Sequence, residues 1–309
     1  MKRLLGSVLS LLPLLAPAVA SAVEPASPPR PAPLARRSAV RVPARGGSAR
    51  SALDSIVTND AFLPAVHVNG ASGVYRTDVW IFNPDPTYAA AVELHYTEAD
   101  TDGTADGGLR ITPDLAPRES VTLADIVGDP ALFDRASSYG LLEVSGSRAD
   151  QPATPQPLIV TSNTYNVAGA VAGTYGQFSP GQPSRNALGF DDSVFGDLYV
   201  TGLLNDANHR TNAVVMNPTA TPLEAGVQLV DSVGNPYRTV LVEVPAYSMH
   251  QLNDVFNRDF ASASPPQGGP WRLNVFVNVA NGAKVLCYAT VTDLRTGDPY
   301  LIPGQAQTP

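Results

Sequence analysis

The chain has 309 residues, a net charge of −8, 29 prolines, 25 glycines and a single cysteine. That length suggests about two domains, and the acidic balance disfavours nucleic acid and anionic membrane surfaces, because like charges repel across the Debye length. One thiol excludes an internal disulfide framework and a cysteine-rich zinc site.

Lys2 and Arg3, the apolar run Leu4 to Leu15 and the small residues Ala18-Val19-Ala20-Ser21-Ala22 read as an export signal over residues 1–22. The protein is therefore expected to be secreted, in an extracellular or periplasmic setting. No later stretch reaches the roughly 18 apolar residues of a spanning helix, so no transmembrane segment is expected. Residues 23–57 form a Pro/Arg-rich arm, with Arg30, Arg36, Arg37, Arg41, Arg45 and Arg50 against Glu24. Six arginines and one glutamate give residues 24–50 about +5, while the 12 basic and 27 acidic side chains from Ser51 onward give about −15. Too poor in apolar residues to fold, the arm is expected to be disordered. It serves as a spacer, or as an electrostatic attachment to an acidic envelope polymer or to the protein's own body.

From residue 58 the chain reads as short strands punctuated by turns. Ala61 to Val68 is an edge strand that tolerates Pro64, and Asn69-Gly70 turns it into Tyr75-Arg76-Thr77-Asp78-Val79-Trp80-Ile81-Phe82-Asn83-Pro84. Ala91 to Tyr96 alternates with period two and takes Leu109-Arg110-Ile111 as partner across an Asp/Gly-rich loop. Ser120 to Leu123 is another short strand, Asp125 to Asp134 a helical turn, Leu141 to Val144 and Leu158 to Thr161 a pair, and Gly173 to Phe178 the closing strand. The same stations then return. His209-Arg210-Thr211-Asn212-Ala213-Val214-Val215-Met216-Asn217-Pro218 repeats the Arg-Thr, apolar, Asn-Pro pattern, and Leu252-Asn253-Asp254-Val255 answers Leu123-Ala124-Asp125-Ile126. Trp271 to Val279 alternates most clearly and is expected to pair with Val285 to Thr292.

This pattern predicts an all-β fold of two tandem Ig-like β-sandwich domains made by internal duplication, over residues 58–181 and 197–309, joined by a linker over 182–196. Arg76 is expected to pair with Asp125, and Arg210 with Asp254. The Arg-Thr-Asp/Asn and Asn-Pro motifs, with Thr164-Tyr165-Asn166, Gly173-Thr174-Tyr175-Gly176-Gln177 and Arg295-Thr296-Gly297-Asp298-Pro299, resemble a paired β-sandwich repeat of uncharacterised secreted bacterial proteins. That resemblance spans residues 61–304. It implies a fold and an extracellular setting, and no activity.

Catalytic patterns are sparse. There is no Gly-x-Ser-x-Gly elbow, and His67, His95, His209 and His250 sit on separate strands without a shared local motif. A carboxylate pair such as Asp191-Asp192, or Asp129 with Asp134, would be needed for a secreted polysaccharide hydrolase, the alternative reading. The leading one is a non-catalytic module for adhesion, binding a protein or glycan partner. Two candidate sites follow. Asp100, Asp102 and Asp106 place three carboxylates on one glycine-bent loop, as calcium requires, although Asp-Gly is also ordinary turn chemistry. No other cofactor is expected. Phe276, Leu286 and Tyr288 form a proposed shared outer face that receives either a ligand or the other domain. Cys287, within Val285-Leu286-Cys287-Tyr288-Ala289, is expected to be a buried, inert thiol.

Overall fold

In a computed structural model of the protein, the described residues are 57–70, 73–104, 109–112, 114–167, 175–190 and 197–306. The export signal, nearly all of the arm, Asp106, and Asp191 with Asp192 lie outside them. All described residues fall within one compact unit, 49–309.

Ten strands build the N-terminal half: β1 (Val57–Thr58), β2 (Asp60–Gly70), β3 (Gly73–Phe82), β4 (Ala90–Glu98), β5 (Leu109–Ile111), β6 (Ser120–Leu123), β7 (Ser138–Arg148), β8 (Gln151–Pro155), β9 (Leu158–Asn166) and β10 (Tyr175–Pro180). β2 changes partner along its length, residues 60–67 pairing with β7 and residues 68–70 with β3. This folds the sheet over its own core. Strands β6, β3, β9, β10 and β1 form one layer, and β2, β7, β4, β5 and β8 the other. Val79, Ile81, Leu158 and Val160 point inward from the first layer, and Ala61, Leu63, Val92, Leu94, Leu142 and Val144 from the second. Period-two alternation produces this, since every second side chain of a strand faces the same side.

β11 (Leu188–Gly189), β12 (Asp197–Asn205), β13 (His209–Asn217), β14 (Leu223–Val230), β15 (Pro236–Val244), β16 (Ser248–Leu252), β17 (Gly268–Val277), β18 (Lys284–Asp293), β19 (Pro299–Pro303) and β20 (Gln305–Ala306) build the C-terminal half. They form two five-stranded antiparallel sheets, β11–β18–β13–β16 with β19 on β18, and β15–β14–β17–β12–β20. Val200, Leu203, Val227, Leu273, Val275, Val285 and Val291 fill the core between them.

The recurring motif is structural in both halves. Thr77 and Thr211 are fully buried. Thr77 Oγ1 accepts the Val66 N–H at 2.9 Å, and Thr211 Oγ1 donates to the Leu204 carbonyl at 3.3 Å. The next motif residue accepts a hydrogen bond from the turn after the crossover. Asp78 Oδ1 takes the Asp125 N–H at 2.8 Å, and Asn212 Oδ1 takes that of Asp254 at 2.9 Å. Both turn residues are left-handed, with φ of 44° and 53°, a conformation that aspartate and asparagine tolerate better than most residues. Asn83 and Asn217 then close the strand. Each is fully buried. The Asn83 amide donates to the carbonyls of Tyr88, Leu115 and Ala116, and the Asn217 amide to those of Thr221, Val244 and Pro245.

Several sequence expectations are corrected. Trp271 to Val279 does not pair with Val285 to Thr292: β17 lies between β12 and β14, and β18 between β13 and β19 or β11, in a different sheet. Nor do Leu141 to Val144 and Leu158 to Thr161 form a pair, since β7 joins β2 and β4 while β9 joins β3. Alternation fixes which face a residue takes, but strands that are neighbours in sequence can cross between layers. Residues 125–134 form consecutive hydrogen-bonded turns, and the Asp129 N–H meets the Asp125 carbonyl over one helical turn, as expected. Within the expected linker, Leu188 and Gly189 add a strand to β18, and Gln182 bridges to Phe62 of β2.

The halves meet face to face. Phe62, Ala99 and Leu141 pack against Val214, Met216, Met249, Leu286 and Tyr288, with Leu301 alongside. The outer side of β2–β7–β4 therefore covers the outer side of β13–β18–β16. The loop after β4 fastens the contact: Asp100 N–H donates to the Met249 carbonyl at 3.0 Å, and Gly103 N–H to that of Ala246 at 2.8 Å. Ser248 Oγ donates to the Glu98 carbonyl at 3.2 Å.

Candidate functional site

The three proposed face residues separate. Leu286 and Tyr288 are 1% and 5% exposed, inside the contact between halves. Phe276 stands on β17, in the other sheet, and is half-buried. The expectation of one shared surface is thus corrected: Leu286 and Tyr288 face the N-terminal half, and Phe276 faces outward from a sheet that no layer of the described residues covers on that side. Its ring lies against Gly226, where an added Cβ would come within 2.3 Å of the ring. Glycine on β14 lets the ring lie across the backbone of its neighbour.

Each of the two described calcium candidates, Asp100 and Asp102, has a protein partner, and Asp106 lies outside the described residues. Asp100, left-handed at φ 61°, sends Oδ1 to His250 Nδ1 at 2.7 Å, across the two halves. Asp102 Oδ1 accepts the Thr104 N–H at 2.9 Å and its hydroxyl at 2.8 Å, and these bonds hold its carboxyl below the usual range. Among the described residues, no group of three His, Cys, Asp or Glu side chains is placed to hold a metal ion. Of the hydrolase candidates, Asp129 Oδ1 accepts the Ala131 N–H at 2.8 Å. Cys287 is buried, and burial pushes its thiol well up.

A polar cluster occupies the outer side of β3. Arg76 Nε lies 3.3 Å from Asp125 Oδ2, His67 Nδ1 lies 2.8 Å from Asp125 Oδ1, and Tyr165 Oη donates to Asp78 Oδ1 at 3.1 Å. The expected Arg76–Asp125 pair is present, through one guanidinium nitrogen. No such pair joins Arg210 to Asp254 among the described residues; Arg210 is exposed, and Asp254 accepts from Asn257 at 2.9 Å. Every charged group of the β3 cluster is engaged by another protein group, which is the chemistry of a brace between strand and turn.

The outer side of the other C-terminal sheet carries no further layer among the described residues, and Asn274 at its centre is 8% exposed. Across the β15–β14–β17–β12–β20 sheet, one register row runs Thr239, Gln228, Asn274, Tyr199 and Gln305. Arg272 and Thr201 pair in the row on one side, and Gly226, Phe276 and Asp197 lie in the row on the other. Tyr199, Thr201, Arg272, Asn274, Gln305 and Ala306 line a shallow depression of about 430 Å³. The Arg272 guanidinium sits 5.5 Å from the centre of the Tyr199 ring, and its Nε donates to Asn274 Oδ1 at 2.8 Å. Burial raises the Asp197 carboxyl, against the pull of Arg272. The surface thus offers aromatic rings, amides that donate and accept, and one guanidinium. Period two along β17 puts Arg272 and Asn274 on one face with Phe276, but Tyr199 is not legible there, because nothing local shows that β12 lies beside β17.

No family model and no curated protein sequence matches the chain. Among solved structures it is similar to the lectin of Pleurotus ostreatus in its apo form, at 8% identity over 80% of this chain and 76% of that one, with a TM-score of 0.21. The same lectin in complex with GalNAc matches with the same identity, coverage and score. A calcium-binding mutant of Bacteroides uniformis β-glucuronidase 2 matches at 10% identity over 81% of this chain and 26% of its own length, with a TM-score of 0.16.

Proposed function

We propose that this protein is an exported, non-catalytic interaction module of two Ig-like β-sandwiches derived by duplication, and that it captures a glycan on the outer face of β14–β17–β12. Three pieces of shared structure support the duplication. They are the paired Thr, Asp/Asn and Asn hydrogen bonds, the left-handed Asp125 and Asp254, and the equivalent strand registers. Capture is carried by the row of Gln228, Asn274, Tyr199 and Gln305 between Arg272 and Phe276. Sugars present hydroxyls that need both donors and acceptors, and C–H faces that pack on aromatic rings. Amides supply the first and the rings of Tyr199 and Phe276 the second. Such a site is fixed by paired strands and needs little ordering on binding.

A glycan array on the purified chain, followed by calorimetry on the best oligosaccharide, tests the reading. Tyr199→Ala and Arg272→Ala are each expected to weaken binding about tenfold, which corresponds to roughly 1.4 kcal/mol, with near-UV circular dichroism unchanged. If no glycan binds, or if both variants bind as the native chain does, the reading is wrong.

A further inference from the structure

The two halves contact each other through unlike faces, and among the described residues each half leaves largely uncovered the face that the other has used, apart from β10, which lies beside β19. The registers make the equivalence explicit. Asn83 reaches the Leu115 and Ala116 carbonyls as Asn217 reaches those of Val244 and Pro245. Since Ala90 bridges to Leu115 and Leu223 pairs with Val244, Ala90 corresponds to Leu223. From there the row Phe62, Glu143, His95 corresponds to Tyr199, Asn274, Gln228. On the other layer, Trp80 pairs with Thr161 and Phe82 with Ile159, as Val214 pairs with Tyr288 and Met216 with Leu286. Phe178 opposes Asn163 as Leu301 opposes Thr290.

Within one chain the β13–β18–β19 face is buried on the β2–β7–β4 face. The equivalent of the first in the N-terminal half is the β3–β9–β10 face. There Trp80 and Phe178 are 37% and 59% exposed at the places of buried Val214 and half-buried Leu301. The equivalent of the second in the C-terminal half is the open β12–β17–β14 face, where Tyr199 stands in the place of Phe62 and Arg272 in that of Leu141. A further match lies at the rim. The loop after β4 that fastens the internal contact corresponds to the β14–β15 hairpin, whose tip residue Val233 is 79% exposed.

We propose that a second copy of this chain docks its β12–β17–β14 face on the β3–β9–β10 face, repeating between molecules the contact that the halves make within one. Trp80 and Phe178 then meet the Tyr199 and Arg272 side of the neighbour, an aromatic and cation–π contact. Because the two faces differ, the contact is head to tail and leaves a free face at each end. Association therefore proceeds past the dimer into longer chains. Arg272 in the place of Leu141, and Tyr199 in that of Phe62, make the docking face more polar than its internal counterpart, so association depends on concentration. The proposal rests on the equivalence of the halves and not on glycan capture. A copy and a glycan compete for one face, so association is measured without saccharide.

Sedimentation velocity on the chain from micromolar to millimolar concentration is expected to show mass rising beyond two protomers. Trp80→Ser with Phe178→Ser, and separately Tyr199→Ala with Arg272→Ala, each abolish association, and mixing the two variants restores a dimer and nothing larger. Thr161→Arg, at the centre of the β3–β9–β10 face, replaces the first variant if that one fails to fold. A native chain that stays monomeric at millimolar concentration overturns the proposal. So does dimerisation of the Tyr199/Arg272 variant alone, which marks a symmetric contact, or a mixture that remains monomeric.

Discussion

At the scale of single residues, Glu143 shows how tertiary packing changes a side chain's chemistry. It projects from β7 toward the contact between halves, with Phe62 opposite on β2 and His95 opposite on β4. Burial, and then the charges of Asp60 and Glu93, push its carboxyl up to about 7. A raised carboxyl pKa means that the folded state holds the proton more tightly than the unfolded one. The stability it contributes is full below about pH 4.5 and is lost as pH rises through about 7. Glu143→Gln removes the ionisable group while keeping its shape. It is expected to raise unfolding free energy above pH 7 by roughly 2–3 kcal/mol, from about 1.4 kcal/mol per pKa unit, with no change near pH 4. Chemical denaturation at several pH values measures this, and an unchanged difference between native and variant across that range disproves it. Asp100 is a second case. A calcium ligand by its loop spacing, it is spent on His250 of the opposite half, a partner 150 positions away that no local pattern reveals.

At the scale of elements, the anchor strand owes its recurrence to hydrogen-bond satisfaction rather than to chemistry on a ligand. Asn83 ends β3 where Pro84 can offer no N–H, and its amide meets three carbonyls of the surrounding loops. Asn83→Ala leaves those buried acceptors and the Asp85 N–H without their partner. The expected loss is about 2–3 kcal/mol, near the upper end for unsatisfied buried polar groups, read as a lower denaturation midpoint with unchanged far-UV circular dichroism. A loss below about 0.5 kcal/mol, within the scatter of ordinary surface changes, would contradict the corner role. The Arg-Thr-Asp/Asn and Asn-Pro pattern was legible because each of its polar residues serves the strand that carries it. Strand partners were not. β17 and β18 both alternate cleanly, and their sequences fit either one sheet or two facing sheets.

For the whole molecule, the apolar contact between halves makes the described body more than two beads on a string. Leu286, fully enclosed there, belongs to the cluster with Phe62 and Leu141 rather than to the C-terminal half's central core. Leu286→Ala opens a cavity at that seam and is expected to cost about 2–4 kcal/mol, as for buried leucines elsewhere, while unfolding stays a single calorimetric transition. Two separated transitions, with only one of them shifted, would show that the halves fold independently. By itself the sequence determined the all-β class, the positions of most longer strands, the anchor motif and the buried thiol, because period two, turn residues and buried polar groups act over a few neighbouring positions. Only the tertiary structure decided which faces remain open. Leu286 and Phe276 carry the same kind of local signal, but the packing of one half on the other buries the first and leaves the second beside Tyr199 and Arg272 at the surface. That outcome depends on contacts between strands far apart in the chain, where a residue's side is written in its own strand but what covers that side is written elsewhere.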